Sequence, residues 1–379
     1  MIREHHAVPP DARAVLTISL AALRANWGEL NRRSGSAECA GVIKADAYGL
    51  GLGEIARALT AEGCRTFFVA TLHEARVVRE AQPGAAIYVL DGLLPGASPH
   101  YAGFDLRPCL SSLAEVREWA AYCDATKRKL RAAIHIDTGI NRLGLTPGEV
   151  ETLAQSERDL FEHFELSLVM SHLACADEPE HPMNLRQRQR FDVLRGRLPN
   201  APASLANSGG TFLGADYHYD LVRPGIALYG GRALEGKPNP MQWVVQFQAR
   251  ILQIRDVPAG ESIGYGASFT TERASRIATI ACGYADGFLR ALSGPSGRPG
   301  PVGFIGEHPV AVVGRVSMDL ITVDVTDVPA KEAVRGAWVE VLGSRTTIDD
   351  LTDRAGTIGY VLLTRLGRRV LRVYDSRER

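Results

Sequence analysis

Residues 39–70 read CAGVIKADAYGLGLGEIARALTAEGCRTFFVA. An apolar run, Cys39–Ile43, opens the stretch, a helix-period segment follows Gly51, and a second apolar run, Thr66–Ala70, closes it. Short apolar runs with a helix between them read as parallel strands buried on both faces and joined by a crossover. The same alternation continues through Ala86–Leu90, Leu106–Leu110, Ala132–Ile136, Leu166–Ser171, Ala203–Ala206 and Tyr219–Val222, with amphipathic stretches such as Leu113–Thr126 and Leu185–Leu198 between runs. Eight runs predict a (βα)8 barrel. A doubly wound open sheet is the main rival.

Outside residues 20–240 the pattern changes. Val244–Ile254, Arg276–Cys282, Val310–Val316, Leu320–Val325 and Trp338–Leu342 alternate apolar and polar residues, and Ser293–Pro301 is a Gly/Pro-rich loop. This predicts a mainly antiparallel β domain over 241–379. Ahead of the barrel, Ala14–Ser19 is strand-like and Leu20–Arg33 is helical.

The 379 residues can bury roughly three quarters of their surface, so the fold requires no disulfide or metal staple. The 43 basic and 43 acidic residues balance, which argues against a dedicated nucleic-acid or membrane-surface binder. Only five basic residues are lysines: Lys44, Lys127, Lys129, Lys237 and Lys331. The six cysteines (Cys39, Cys64, Cys109, Cys123, Cys175, Cys282) are scattered and read as reduced thiols. The N-terminus has no apolar core of the kind a leader needs, and no apolar run reaches 18 residues. A cytoplasmic location is expected.

Lys44 directly follows the first apolar run, at the barrel end where such folds place active sites. A partly desolvated amine there can form an imine with a carbonyl cofactor; position alone fits a strand-end lysine reaching to solvent equally well. The same end collects Asp137–Arg142, His172, Asn207–Gly210 and Arg223–Ile226. Each alone reads as a helix cap or a satisfied core residue, but all fall at strand C-termini. Glycine-flanked amides near Ser208 and Gly225 could cradle a phosphate, with Arg223 aimed inward. Gly51-Leu52-Gly53-Glu54-Ile55-Ala56, with Glu74 about twenty residues on, mimics a dinucleotide fingerprint, but seven residues separate it from the strand. The basic clusters Lys127–Lys129 and Arg186–Arg190 read as solvated helix faces. No metal-ligand constellation emerges.

The run Val42-Ile43-Lys44-Ala45-Asp46-Ala47-Tyr48-Gly49-Leu50-Gly51 resembles the pyridoxal-phosphate attachment motif of alanine racemases. The resemblance extends through Asp137–Gly144, Ser171–Asp177, Ala206–Ser208, Val222–Gly230, Ser262–Ala267, Cys282–Gly287, Gly314–Asp319 and Thr357–Tyr360. It implies the fold read above, α/β plus β, with residues 1–19 joining 241–379. It implies interconversion of L- and D-alanine through a pyridoxal 5'-phosphate aldimine. Lys44 would hold the cofactor as an imine and act as one base at Cα, and Tyr265 of the partner subunit as the other. Racemisation needs two groups, because one removes the proton from one face and the other returns it to the opposite face. Arg223 would donate to the pyridine nitrogen, with His172 packed near the ring and bonded to Arg223. Tyr48, Ser208, Gly225, Ile226 and Tyr360 would hold the phosphate. Arg142 and the Met318 amide would bind the substrate carboxylate, and Tyr284 and Tyr360 would narrow the approach. A site shared in this way implies an obligate homodimer.

Three positions depart from the family's pattern. His135 stands where many members carry a carbamylated lysine, so the charge that orients Arg142 would be missing. The expectation is that a bound anion such as chloride replaces it, which a crystal structure with no anion beside Arg142 would contradict. Ser317 replaces a frequent cysteine, and Val361 a frequent acidic residue. A broader-specificity racemase is the nearest alternative. A non-catalytic cofactor carrier would have no use for Tyr265, and the His-Gly-Ser and Cys-Asp signatures of the fold-related decarboxylases are not found.

Overall fold

The computed structural model describes residues 8–377; residues 1–7 and 378–379, which the sequence assigns to the β-rich domain, lie outside the described residues. The chain divides into two compact units, residues 23–241 and residues 8–22 with 242–377.

In the first unit the strands Gly41–Val42, Thr66–Val69, Ala86–Val89, Arg107–Leu110, Arg131–His135, Glu165–Met170 and Ala203–Ser204 pair in chain order, all parallel. The ring closes through Leu221–Val222, which pairs in parallel with Glu38–Cys39, the first half of the opening strand. The amides of Ala40 and Val42 donate to Val222 and Pro224, and those of Asp220 and Arg223 to Ala203 and Ala206. The eight predicted runs are thus the eight strands, and closure excludes the open-sheet rival. Alternation on every strand sends one set of side chains inward, so Ala40, Val42, Phe68, Tyr88, Cys109, Ala133, Leu168, Met170 and Leu221 fill the interior as one buried cluster.

The helices between strands carry their own start signals. Thr71 with Glu74 and Thr146 with Glu149 form capping boxes, and Ser112 caps Leu113–Thr126, the bounds read from sequence. The helix expected at Leu185–Leu198 runs over Pro182–Arg195 instead, because proline fits its first turn and His181 caps it.

In the second unit Ala14–Ser19 lies between Val245–Val257, antiparallel, and Leu371–Asp375, parallel. Its sheet runs Ser275–Ile280, Ile321–Asp324, His308–Val313, Val302–Ile305, Trp338–Leu342, Val245–Val257, Ala14–Ser19, Leu371–Asp375, and Ser275–Ile280 returns to pair with Val245–Val257. Two of these strands, Val302–Ile305 and Leu371–Asp375, were not foreseen: glycine interrupts the first, and two of the five residues of the second are charged. All six cysteines are free, five of them buried. Among the described residues no helix is long and apolar enough to cross a membrane.

Candidate active site

Lys44 ends the opening strand half-buried, and the backbone after it is unusual. Ala45, Asp46, Ala47 and Tyr48 all adopt left-handed helical angles, with φ of 52–57°. Such a turn costs about 1–2 kcal/mol per residue when a Cβ is present, so it must be held by its surroundings. Ala47 N donates to Ile43 O at 2.9 Å and Gly51 N to Asp46 O at 3.0 Å. The Asp46 carboxylate accepts from Leu52 N at 2.9 Å, and Asp46 N donates to Glu74. The turn places Tyr48, fully folded in, against Tyr229 with ring centroids 4.5 Å apart. A Cβ at Gly225 would lie 2.2 Å from the Tyr48 hydroxyl, so only glycine allows this approach. Ser208 Oγ accepts from Gly225 N at 2.8 Å and from Ala227 N at 3.4 Å. Tyr48, Ser208, Gly225 and Ile226 therefore converge on one cradle of hydroxyls and amides.

Arg223 is buried at 3% exposure, bonded through one guanidinium nitrogen to Ser204 and through the other to the Ser171 carbonyl. Burial pushes it down to about 10, still charged at neutral pH. Neither bond goes to His172, whose ring was expected as its partner. His172 is held well below its ordinary value by desolvation first, then by Arg223, Arg142 and Lys44. The Lys44 amine is also pushed down, by burial first and then by Arg142 and Arg223, against Asp91 and Glu74. A lysine so placed gives up its proton more readily than a solvated one, as a nucleophilic or basic amine must. Arg142 is exposed and makes no side-chain hydrogen bond or ion pair among the described residues. Its loop is fixed by Asp137, which accepts from Gly139 N at 2.9 Å and Asn141 N at 3.2 Å.

His135 is buried, its Nδ1 3.3 Å from Ser111 Oγ and its Nε2 without a partner. Desolvation, then Arg223, with Arg142 adding to it, pushes it down to about 4. The native ring thus stays neutral over a range where the unfolded chain, near 6.5, takes up a proton. Its contribution is fully present above pH 6.5 and is lost as pH falls through 4, amounting to roughly 3 kcal/mol. Denaturant midpoints at about pH 7 and pH 4 should therefore fall less in His135→Gln than in the wild type; equal losses would contradict this reading.

The second unit brings together Tyr265, Tyr284 and Met318, which line a cavity of about 760 Å³ with Arg290, Arg315, Asp319 and Arg365. Tyr265 is 73% exposed, on a turn between Gly264 and Gly266, both at positive φ. A Cβ at Gly266 would meet the Arg315 guanidinium at 2.8 Å. The cavity's carboxylate, Asp319, is already bonded to Arg369 at 2.6 Å, so the three lining arginines leave it cationic. The Met318 amide donates to no group in the turns and loops, although its carbonyl accepts from Ala285 N. Tyr360 lies in Gly359–Thr364, 41% exposed. Ser317 holds its turn through a bond to Leu320 O at 2.7 Å.

Ser171, Ser204 and Gln187 support the site and were missed, and Glu74, which the sequence offered only as a nucleotide-site acid, supports it through backbone amides instead. Ser171 closes one apolar run and Ser204 interrupts another, which was the available signal. Gln187 donates to the His172 carbonyl at 2.9 Å and to Thr138 Oγ1 at 3.1 Å from within the cluster Arg186–Arg190 that read as a solvated helix face.

Comparison with known proteins accords with this arrangement. The family model described as alanine racemase, N-terminal domain, matches residues 18–233, and that for the alanine racemase C-terminal domain matches 244–374. The chain is 50% identical over 361 residues to the alanine racemase of Methylobacterium sp. (strain 4-46), covering 95% of this chain and 97% of that one. It is 48% identical over 372 residues to the alanine racemase of Rhizobium meliloti (strain 1021), covering 96% and 97%. The crystal structure of alanine racemase from Bartonella henselae with covalently bound pyridoxal phosphate superposes with a TM-score of 0.90 at 40% identity, covering 96% and 99%. The fold and these relatives define an isomerase, an amino-acid racemase. The chain belongs to the alanine racemase family.

Proposed function

We propose that this protein interconverts L- and D-alanine with pyridoxal 5'-phosphate by two-base proton transfer. The observation that carries the reading is the left-handed turn joining a half-buried lysine to a cradle that no Cβ at Gly225 could share. That cradle suits a phosphate, and the buried cation Arg223 suits an electron-rich ring nitrogen, so the residues fit this cofactor. When bound, pyridoxal phosphate supplies a carbonyl for amine attachment and an electron-withdrawing ring that acidifies the substrate Cα–H.

Residues 20–240 form the cofactor-binding domain, and 1–19 with 241–379 the β-rich domain. Lys44 holds the cofactor and moves a proton at one face of Cα; Tyr265 of the partner subunit serves the other face. Arg223 donates to the pyridine nitrogen. Its permanent charge opposes protonation there, limits storage of negative charge in the ring and favours prompt return of the proton to Cα. His172, neutral, packs beside the ring. Tyr48, Ser208, Gly225, Ile226 and Tyr360 hold the phosphate. Arg142 and the amide of Met318 of the partner subunit bind the substrate carboxylate. Tyr284 and Tyr360 limit access to a substrate as small as alanine.

The protein acts as a cytoplasmic homodimer, and its product or substrate D-alanine belongs to cell-wall peptidoglycan metabolism. The exposed Tyr265, Tyr284 and Met318 around a cationic cavity support a partner subunit there. Subunit sharing is tested by mixing. Inactive Lys44→Ala and Tyr265→Ala chains, dissociated and reassociated together, should regain turnover, because each heterodimer contains one site with both bases intact. A mixture as inactive as its components would contradict the shared site.

A further inference from the structure

Glu74 takes no part in the roles above, although its distance from Gly51–Gly53 suits a ribose-binding acid. Its carboxylate accepts three backbone amides. Oε1 receives Asp46 N at 3.2 Å, while Oε2 receives Ala70 N at 2.9 Å and Thr71 N at 3.3 Å. The first donor lies within the left-handed turn; the other two follow the neighbouring strand, Thr66–Val69. Capping of the helix Leu72–Ala81 requires only Thr71 and Oε2; the bond to Asp46 adds nothing to that helix. It ties the segment between Lys44 and Tyr48 to the next strand's end.

Four successive non-glycine residues at positive φ persist only where surroundings over-determine them, and a charged acceptor forms the stronger class of hydrogen bond. We propose that Glu74 is a positioning residue for racemisation: it clamps the left-handed turn and so fixes Lys44 relative to Tyr48 and the Gly225 cradle. The inference rests on Lys44 being the lysine that carries the cofactor. The clamp also sets charge. Arg142, Asp91, Glu74 and Arg223 face the Lys44 amine, and the two carboxylates favour its protonated form against burial and the two arginines.

The test compares holoenzymes of wild type, Glu74→Gln, Thr71→Val and Glu74→Gln/Ala45→Gly, each checked for fold by circular dichroism. Glu74→Gln keeps the size but loses the charge and one acceptor; Thr71→Val removes the capping hydroxyl alone. Two readouts need no turnover: the midpoint pH of the visible absorbance change of the lysine-bound cofactor, and cofactor affinity on dilution. Glu74→Gln is expected to lower the midpoint and weaken affinity about tenfold, the loss of one charge-assisted hydrogen bond. Thr71→Val should move neither while lowering thermal stability. Ala45→Gly, which removes the side-chain cost at φ 55°, should recover most of the affinity but not the midpoint. A Glu74→Gln enzyme with wild-type midpoint and affinity, or a Thr71→Val enzyme with the same changes as Glu74→Gln, would overturn the positioning role. Peptide mass spectrometry after borohydride reduction locates the attachment in the wild type. Attachment elsewhere than Lys44 would overturn that assignment and this inference with it, whereas attachment at Lys44 with an unaffected Glu74→Gln enzyme would overturn this inference alone.

Discussion

Lys44→Ala is expected to eliminate both the visible absorbance of bound cofactor and measurable racemisation. The two losses have separate origins: the amine is the attachment point, and it is also one of two groups that move a proton at Cα. Positioned proton transfer alone is worth about 10²–10⁴-fold, and losing attachment removes the electron sink as well. The other four lysines cannot substitute. Lys127, for example, is paired with Asp124 at 2.9 Å on a helix end far in sequence from the strand C-termini that define the site. An absorbance spectrum and a polarimeter check this directly. A variant that retains either signal at wild-type strength would remove Lys44 from the role given to it.

Tyr265→Ala should separate those two losses. The spectrum of bound cofactor should persist, because the change leaves Lys44 and the cradle of Tyr48, Ser208 and Gly225 untouched. Racemisation should fall by about 10²–10⁴-fold, while exchange of the Cα hydrogen should survive for one enantiomer only, the one whose hydrogen faces Lys44. Deuterium incorporation into pure L-alanine and pure D-alanine, followed in parallel, distinguishes the outcomes. Undiminished racemisation, or equal loss of exchange from both enantiomers, would contradict the assignment of one base to each face.

The barrel was legible because a closed parallel sheet buries both faces of every strand, leaving eight apolar runs that no surface constraint blurs. The position of Lys44 followed from the same pattern: it is the first charged residue after the first run. Tyr265 was not legible this way. Its side chain is 73% exposed on a glycine-flanked turn, and local pattern gives such a tyrosine no distinction; only the family resemblance singled it out. The support beneath Arg223 was hidden differently. Ser204 and Ser171 lie about 20 and 50 residues before it in the chain, and their convergence depends on barrel closure. Two of the five N–H donors of Arg223 go to Ser204 and Ser171 and none to His172, whose ring is kept neutral by burial first and then by the neighbouring cations. Glu74 was visible but misleading, since its spacing matched a nucleotide site while its carboxylate serves backbone amides.

The most direct measurement places the holoenzyme with L-alanine in D₂O and follows Cα deuteration and optical rotation together. Two-base racemisation predicts that deuterium enters while rotation decays to zero. Deuteration at constant rotation would mean that the proton leaves and returns on one face, leaving Tyr265 without its role. No deuteration at all would contradict the assignment of alanine as substrate.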